Sequence, residues 1–222
     1  MASEKSVTEV ASGEDREEAL SLVHDFVSRE TIARLDQVAT LLIQRQKRLN
    51  LIARSTVPVL WTRHIADSLQ LLPLAPGART WIDLGSGAGF PGLALACALV
   101  EVPGTRVELV ESVQKKANFL GEVIQALALP AIVHARRIED FTAETKTRFD
   151  VVTARALAPM DRLLRYATPL LKRGAIGLFP KGQDVAAELT QASKSWNIEA
   201  ELIQSITDPS GRIIRVQHVR QK

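Results

Sequence analysis

The sequence predicts an α/β protein with a mostly parallel, twisted sheet, helices on both faces of that sheet and an antiparallel edge strand. Three observations predict this fold. After Gly77, strand-like apolar runs alternate with helical patterns, as in sheets built from crossover units. A glycine-rich turn follows the first of these strands. Two final apolar runs, 198–205 and 212–219, have no helical pattern between them and fit an antiparallel strand pair.

The individual elements follow from apolar spacing and from glycine and proline positions. Strands are predicted at 80–83, 106–110, 131–134, 149–153 and 175–179, and the helices between them at 92–101, 114–127, 161–171 and 184–195. Upstream, helical spacing predicts two helices between Asp15 and Ile52 and another over 59–72. We therefore expect a flexible acidic tail at 1–15, an N-terminal helical extension or cap at 16–76 and the main domain at 77–222.

Composition and charge limit the class of protein. The 222 residues suit one α/β domain with an added element, and the run 93–100 is too short to cross a bilayer. The single cysteine, Cys97, cannot form an internal disulfide, and the acidic start does not resemble a secretory signal, so we expect a cytoplasmic protein. Residues 1–30 carry a net charge of −5 and the remainder +8, and a basic body attracts polyanions such as nucleic acid.

The glycine-rich turn, 83–90, indicates a ligand site at the carboxyl end of the first strand. Gly85, Gly87 and Gly89 allow a close approach to the backbone, and a helix follows them. The turn also fits the dinucleotide pattern GxGxxG, so an NAD enzyme stays open on the pattern alone. Asp83, placed just before the first glycine, favours S-adenosylmethionine, because a carboxylate there would attract an ammonium group and repel a pyrophosphate.

Acidic residues after the next two strands extend this interpretation. Glu111 closes the second strand, where an acid can accept hydrogen bonds from both ribose hydroxyls of a nucleoside. Ile138 and Glu139 follow the third strand, where the adenine of the cofactor would lie, although this stretch could equally be a solvated loop. No metal site is expected.

The kind of methyl acceptor can be narrowed by what the sequence lacks. Cys97 lies in an apolar run, where a buried structural thiol is expected instead of a nucleophile for pyrimidine carbon-5. The segment 153–159 contains no Asn/Asp-Pro-Pro-aromatic motif of the kind used for exocyclic amines. A ring nitrogen with an in-plane lone pair, such as guanine N7, requires no proton removal, and it remains by elimination.

Three stretches resemble one known family. They are Asn50-Leu51 with 61–69, the turn 83–92, and Val110-Glu111-Ser112 with 115–120; Thr153-Ala154-Arg155-Ala156 and 179–182 support them. The chain resembles the bacterial ribosomal RNA small subunit methyltransferase G family, also called the glucose-inhibited division protein B family. The resemblance implies a Rossmann-like class I methyltransferase that uses S-adenosylmethionine to methylate guanine N7 in 16S rRNA.

The resemblance also implies roles for individual residues. The cofactor would be bound by Gly85, Phe90, Ile138, Glu139 and Arg155, together with Asp83, Gly87 and Glu111 from the residue patterns above. Arg155 would belong to both the cofactor and the substrate pocket, and we place it with His64 and Asp67 in the catalytic group.

Four residues outside the turn are expected to handle the substrate or to support the site. On a helix, Arg63, His64 and Asp67 would share one face, so Asp67 could pair with Arg63 or orient His64. We expect Arg63 and His64 to contact RNA, but a polar clamp that docks the helical cap on the main domain is an equal alternative. Lys181, after the fifth strand, is expected to bind an RNA phosphate.

The leading hypothesis from the sequence is therefore guanine-N7 methylation of 16S rRNA, in the 30S subunit or in an assembly intermediate. Two alternatives stay open: a small-molecule methyltransferase, and an RNA-binding assembly factor with a vestigial cofactor site. We expect a monomer that does not associate with membranes.

Overall fold

A computed structural model describes residues 13–222 of the chain. The N-terminal extension contains α1 (Glu14–Val23) and α2 (Arg29–Leu49), the two helices that the apolar spacing predicts. Most of the predicted acidic tail, residues 1–12, lies outside the described part. Helix α1 begins inside that predicted tail, and the carboxylate of Asp15 accepts hydrogen bonds from the backbone N–H groups of Trp61 (2.8 Å) and Thr62 (3.1 Å).

The segment that follows α2 contains short helical elements of three types where one helix over 59–72 was predicted. A 3₁₀ turn at Arg54–Thr56 precedes a π-helix at Trp61–Ala66, which runs into α3 (Asp67–Leu69). A second 3₁₀ turn follows at Leu72–Leu74, because Pro73 has no N–H group with which to continue an α-helical ladder. The predicted helix over 59–72 is therefore present, but most of it is a π-helix and it ends at Leu69.

The main domain is the predicted mostly parallel sheet. Its strands are β1 (Thr80–Leu84), β2 (Arg106–Val110), β3 (Ala131–His134), β4 (Val151–Thr153), β5 (Ile176–Lys181), β6 (Trp196–Gln204) and β7 (Arg212–Gln221). Their spatial order is β3-β2-β1-β4-β5-β7-β6, and strands β1 to β5 pair in parallel. Strand β7 lies antiparallel between β5 and β6, which confirms the antiparallel addition at one edge.

Helices cover both faces of the sheet. They are α4 (Gly92–Ala98), α5 (Gln114–Ala126), α6 (Ile138–Glu144), α7 (Met160–Leu171) and α8 (Val185–Ala192). Helix α6 was not predicted, since its seven residues offer only one apolar repeat, from Ile138 to Phe141.

Two apolar clusters divide the core between the faces. Trp81 of β1 packs with α4, α5 and the helical extension on one face, whereas Ile82 and Leu84 pack with α6 and α7 on the other. This alternation follows from the two-residue period of a strand. The extension thus lies against the main domain and can reach the carboxyl ends of the strands. No helix within residues 13–222 has the length and the apolar character needed to cross a membrane.

Candidate active site

The glycine-rich turn closes over the carboxyl ends of β1 and β2. The backbone N–H groups of Gly85 and Ser86 both donate to the carbonyl oxygen of Val110, at 2.9 and 3.0 Å. Gly85 and Gly87 have positive φ angles of 71° and 57°, which favour glycine. A Cβ atom on Gly85 would lie 2.5 Å from Cδ1 of Leu157, so a larger residue there would also require this flexible side chain to move.

A cavity of about 430 Å³ opens beside this turn, within the usual size range of small-molecule sites. We call it the glycine-loop cavity. Its walls contain seven of the eight residues predicted to hold the cofactor: Gly85, Gly87, Phe90, Glu111, Ile138, Glu139 and Arg155. They come from the turn, from the end of β2, from the start of α6 and from the segment after β4, so the fold brings residues far apart in sequence to one place.

Asp83 is the predicted cofactor residue that does not line the glycine-loop cavity. Its side chain is buried, and its carboxylate accepts hydrogen bonds from Thr153 Oγ1 (3.1 Å) and from the N–H of Gly92 (3.2 Å). Burial raises the pKa of Asp83 to about 6, against the opposing effect of these hydrogen bonds. Asp83 therefore ties β1 to β4 and to the start of α4, and a direct contact with a ligand would require it to leave these partners.

Glu111 lies directly after β2, where the sequence predicts it, and its side chain is buried. It lines the cavity, and one oxygen, Oε2, accepts a hydrogen bond from the N–H of Gly87 at 2.8 Å. The other, Oε1, accepts from the N–H of Val113 at 2.7 Å. These two bonds fix the carboxylate beside the turn and leave it further acceptor capacity for ligand hydroxyls.

The structure adds cavity residues that the sequence analysis missed. Leu51 and Ile52 line the glycine-loop cavity from the extension, and Arg162 and Tyr166 line it from α7. Gln46 holds the first pair: its Oε1 accepts from both backbone N–H groups (2.9 and 3.1 Å), and its Nε2 donates to the carbonyl of Ile52 (2.7 Å). Nothing in the local pattern of α2 marks Gln46, because its role depends on the loop that follows.

A second cavity of about 470 Å³ adjoins the first. The two share four wall residues, His64, Arg155, Ala156 and Leu157. The second cavity also contains the other predicted substrate and support residues, Arg63, Asp67 and Lys181. The predicted site residues thus gather around two adjoining cavities, with Arg155 and His64 at their junction.

Arg155 bridges the main domain and the extension at this junction. Its guanidinium donates to His64 Nδ1 (2.5 Å) and to the carbonyl of Arg63 (2.9 Å), and it lies 3.5 Å from Asp67 Oδ2. Burial lowers the pKa of Arg155, and Asp67 and Asp83 oppose that shift. Burial, followed by the charges of Arg155 and Arg63, lowers the pKa of His64 to about 3. His64 is therefore neutral near pH 7, and its ring contributes position instead of charge.

Arg63 and Asp67 form the polar clamp that the sequence left as an alternative. Arg63 Nη1 pairs with Asp208 Oδ2 at 3.0 Å, and Thr207 Oγ1 donates to Asp67 Oδ1 at 2.8 Å. Gln70 completes the network by donating to Asp67 Oδ1 (2.8 Å). Both residues dock the extension on the turn between β6 and β7, and both also line the second cavity.

Lys181 is less free than its position in the sequence indicates. Its side chain is largely buried, and its Nζ donates to Glu188 Oε2 and to the carbonyl of Ala158, both at 2.7 Å. Glu188 Oε2 also accepts from the N–H of Met160 at 2.8 Å. Lys181 thus orders the segment after β4 and the start of α7.

Neither the cysteine nor a metal-binding cluster is found among the residues that line the two cavities. Cys97 is fully buried in α4, and burial raises the pKa of its thiol to about 12, so it cannot act as a thiolate nucleophile. Within residues 13–222, histidine, cysteine and acidic side chains form no cluster of three or more that could hold a metal ion.

Comparison with solved structures agrees with this fold. An O-methyltransferase, TomG from Streptomyces achromogenes in complex with S-adenosylmethionine, matches 90% of this chain and 96% of its own with a TM-score of 0.58 at 14% identity. An O-methyltransferase from Bacillus cereus matches 87% of this chain and 99% of its own with a TM-score of 0.56 at 16% identity. The strand order and these two matches show that the chain has the fold of class I methyltransferases.

Sequence comparison gives the family. The family model described as rRNA small subunit methyltransferase G matches residues 31–214. Proteins named ribosomal RNA small subunit methyltransferase G are 53% identical in Nitrobacter winogradskyi (95% of this chain, 76% of the relative) and 46% identical in Rhodopseudomonas palustris (100% and 95%). The chain belongs to the ribosomal RNA small subunit methyltransferase G family.

Proposed function

We propose that this protein transfers the methyl group of S-adenosylmethionine to N7 of a guanine in 16S rRNA. The observation that carries the proposal is the membership of the family together with the second cavity, which opens beside the glycine-loop cavity. Two adjoining cavities allow a cofactor and a target base to meet at their junction. Positioning of this kind is a main source of rate enhancement in transfer reactions.

The glycine-loop cavity fits the cofactor. We propose that Glu111, which is fixed by two backbone N–H groups, accepts from the ribose hydroxyls, and that Ile138 and Glu139 at the start of α6 contact the adenine. We propose that Gly85 and Phe90 line the part of the cavity that takes the methionine end, and that Arg155, one of four basic residues on the cavity wall, pairs with the methionine carboxylate. When bound, the cofactor supplies a methyl group already activated by the sulfonium.

The residues at the junction suit an acceptor that needs no base. His64 has Nδ1 occupied by Arg155 and Nε2 by Thr56 Oγ1 at 2.9 Å, so neither nitrogen is free to take a proton. Guanine N7 carries a lone pair in the ring plane and no proton. The roles that we propose for Arg155, His64 and Asp67 are therefore to hold and orient the substrate, and not to remove a proton.

The substrate that we propose is 16S rRNA within the 30S subunit or an assembly intermediate, in the cytoplasm, with the enzyme acting as a monomer. Residues 31–222 carry a net charge of +8, which supports binding to a polyanion. Arg63, His64 and Lys181 line the second cavity and would contact the RNA or shape its pocket.

A direct test is methyl transfer from labelled S-adenosylmethionine to 30S subunits and to naked 16S rRNA from a strain that lacks the gene. We expect N7-methylguanine at one position in the rRNA digest. Transfer only to free metabolites would support a small-molecule methyltransferase. RNA binding without cofactor binding would support an assembly factor, and competition by NAD for the cavity would support a dinucleotide enzyme.

A further inference from the structure

Three carboxylates line the second cavity: Asp67, Glu188 and Asp208. Asp67 has both oxygens engaged, Oδ1 by Gln70 and Thr207 and Oδ2 by Arg155. Asp208 is engaged in the same way, Oδ1 by the N–H and hydroxyl of Ser210 and Oδ2 by Arg63. Each oxygen of these two carboxylates therefore already has at least one partner within the protein.

Glu188 differs from the other two. Its Oε2 is fixed by Lys181 Nζ (2.7 Å) and by the N–H of Met160 (2.8 Å), whereas its Oε1 has no hydrogen-bond partner among residues 13–222. The side chain retains 28% of its exposure. The carboxylate is thus held by one oxygen and can accept a hydrogen bond through the other.

Glu188 lies on the side of the site that is away from the cofactor cavity. It lines the second cavity but not the glycine-loop cavity, so it lies away from the junction formed by His64, Arg155, Ala156 and Leu157. A purine that presents N7 to the junction directs its other end, with N1 and the 2-position, into the second cavity. Guanine carries an N1–H and a 2-amino group at that end, whereas adenine carries a bare N1 and no 2-amino group.

We propose that Glu188 is the residue that selects guanine, with Oε1 accepting a hydrogen bond from the 2-amino group of the target base. Lys181 is then a positioning residue, which acts by orienting Glu188 and not by binding a phosphate. This inference rests on the proposed function, because it assumes that N7 is the reacting atom. It assigns the choice of base to a side chain on α8, far from the glycine-rich turn in sequence.

The test compares guanosine with inosine, which lacks the 2-amino group, at the target position of a reconstituted RNA substrate. With the wild-type enzyme, we expect inosine to lower kcat/KM on the order of 10- to 100-fold, the usual effect of losing a hydrogen bond to a charged group. Glu188→Gln retains an oxygen for Lys181 and Met160 but presents an N–H₂ group to the base. We expect this variant to lose activity on guanosine and to show no penalty for inosine.

Two controls separate the possible outcomes. Glu199→Gln removes an exposed carboxylate on β6, paired with His218, and should retain the wild-type inosine penalty. Lys181→Met should reduce the inosine penalty while the affinity for S-adenosylmethionine stays unchanged. An equal inosine penalty in wild type and Glu188→Gln would overturn the inference but leave the proposed function intact. Absence of N7 methylation of guanosine by the wild-type enzyme would instead refute the proposed function.

Discussion

Arg155 Nη2 lies 2.5 Å from His64 Nδ1 and fixes the state of that imidazole. A guanidinium has only donors, so Nδ1 must be the acceptor, and the proton of the neutral ring is on Nε2, which donates to Thr56 Oγ1. This pair joins the segment after β4 to the helical extension. The extension is therefore part of the site, and the junction between the two cavities depends on its docking.

The first prediction concerns the role of His64. His64→Gln can reproduce both hydrogen bonds, since its amide oxygen can accept from Arg155 and its amide nitrogen can donate to Thr56. We expect it to retain activity within a few-fold of wild type, whereas His64→Ala should lose roughly tenfold or more through misplacement of Arg155. The measurement is kcat and KM for both substrates from pH 6 to 8. Loss of kcat in His64→Gln with both KM values unchanged would identify His64 as a chemical participant.

The second prediction concerns the pH dependence of stability. The pKa of His64 is lowered from 6.5 to about 3 in the folded state, so below pH 6.5 the unfolded chain takes up the proton first and stability falls. The pKa of Asp83 is raised from 3.8 to about 6, so between these values the folded chain takes up the proton first and stability rises as pH falls. The two effects oppose each other between pH 6 and pH 4.

Single variants should separate these effects. Between pH 7 and pH 5, the His64 contribution amounts to a loss of about 2 kcal/mol and the Asp83 contribution to a gain of about 1 kcal/mol. Relative to wild type, Asp83→Asn should therefore lose more stability over this interval, and His64→Gln should lose less. Denaturant unfolding at both pH values measures the difference. Parallel pH profiles in all three proteins would contradict the assigned shifts.

The sequence predicts which residues lie at the carboxyl ends of the strands. It does not predict whether the side chain of such a residue faces the cavity or the interior of the fold. Glu111 follows β2 and lines the cavity as expected, because the carboxyl ends of parallel strands meet at one edge of the sheet. Asp83 is also close to the end of a strand, but its side chain contacts Thr153 and Gly92 inside the fold. The hydrogen-bond partners of Asp83 decide that it does not line the cavity, and these partners cannot be read from the glycine-rich pattern.

The third prediction follows from Glu111. Glu111→Gln retains one acceptor oxygen, so it cannot accept from both Gly87 and Val113, and it presents an N–H₂ group where ribose hydroxyls are expected to donate. We expect the Kd for S-adenosylmethionine to rise on the order of tenfold, with little change in RNA binding. Calorimetric titration with S-adenosylmethionine and with RNA gives both values. An unchanged cofactor Kd would remove Glu111 from the binding site.

The residues that the sequence could not assign act through contacts between distant elements. Lys181 was expected to bind a phosphate, but its amino group donates hydrogen bonds to Glu188 and to the carbonyl of Ala158. The structure pairs them because α8 packs against α7 beyond the end of β5, a packing arrangement with no local signature. In contrast, the sheet and its antiparallel addition were predictable, since apolar periodicity is a local property.

The fourth prediction tests whether the extension shapes the glycine-loop cavity. Among residues 13–222, Gln46 is the one side chain that forms hydrogen bonds with the backbone of Leu51 and Ile52. Leu51 and Ile52 both line the glycine-loop cavity. Gln46→Leu would leave three backbone groups without their partner in a partly buried loop, which costs about 1–3 kcal/mol. We therefore expect a lower Tm and a several-fold higher Kd for S-adenosylmethionine.

Gln44→Leu is the matched control, because Gln44 lies on the same helix but is exposed to solvent. It should leave both the Tm and the cofactor Kd near the wild-type values. If Gln46→Leu lowered the Tm without changing the Kd, the loop would matter for stability alone. A Kd that rises with the loss of the Gln46 contacts would mean that the helical extension sets the width of the cofactor site, because the substituted side chain itself does not reach the cavity wall.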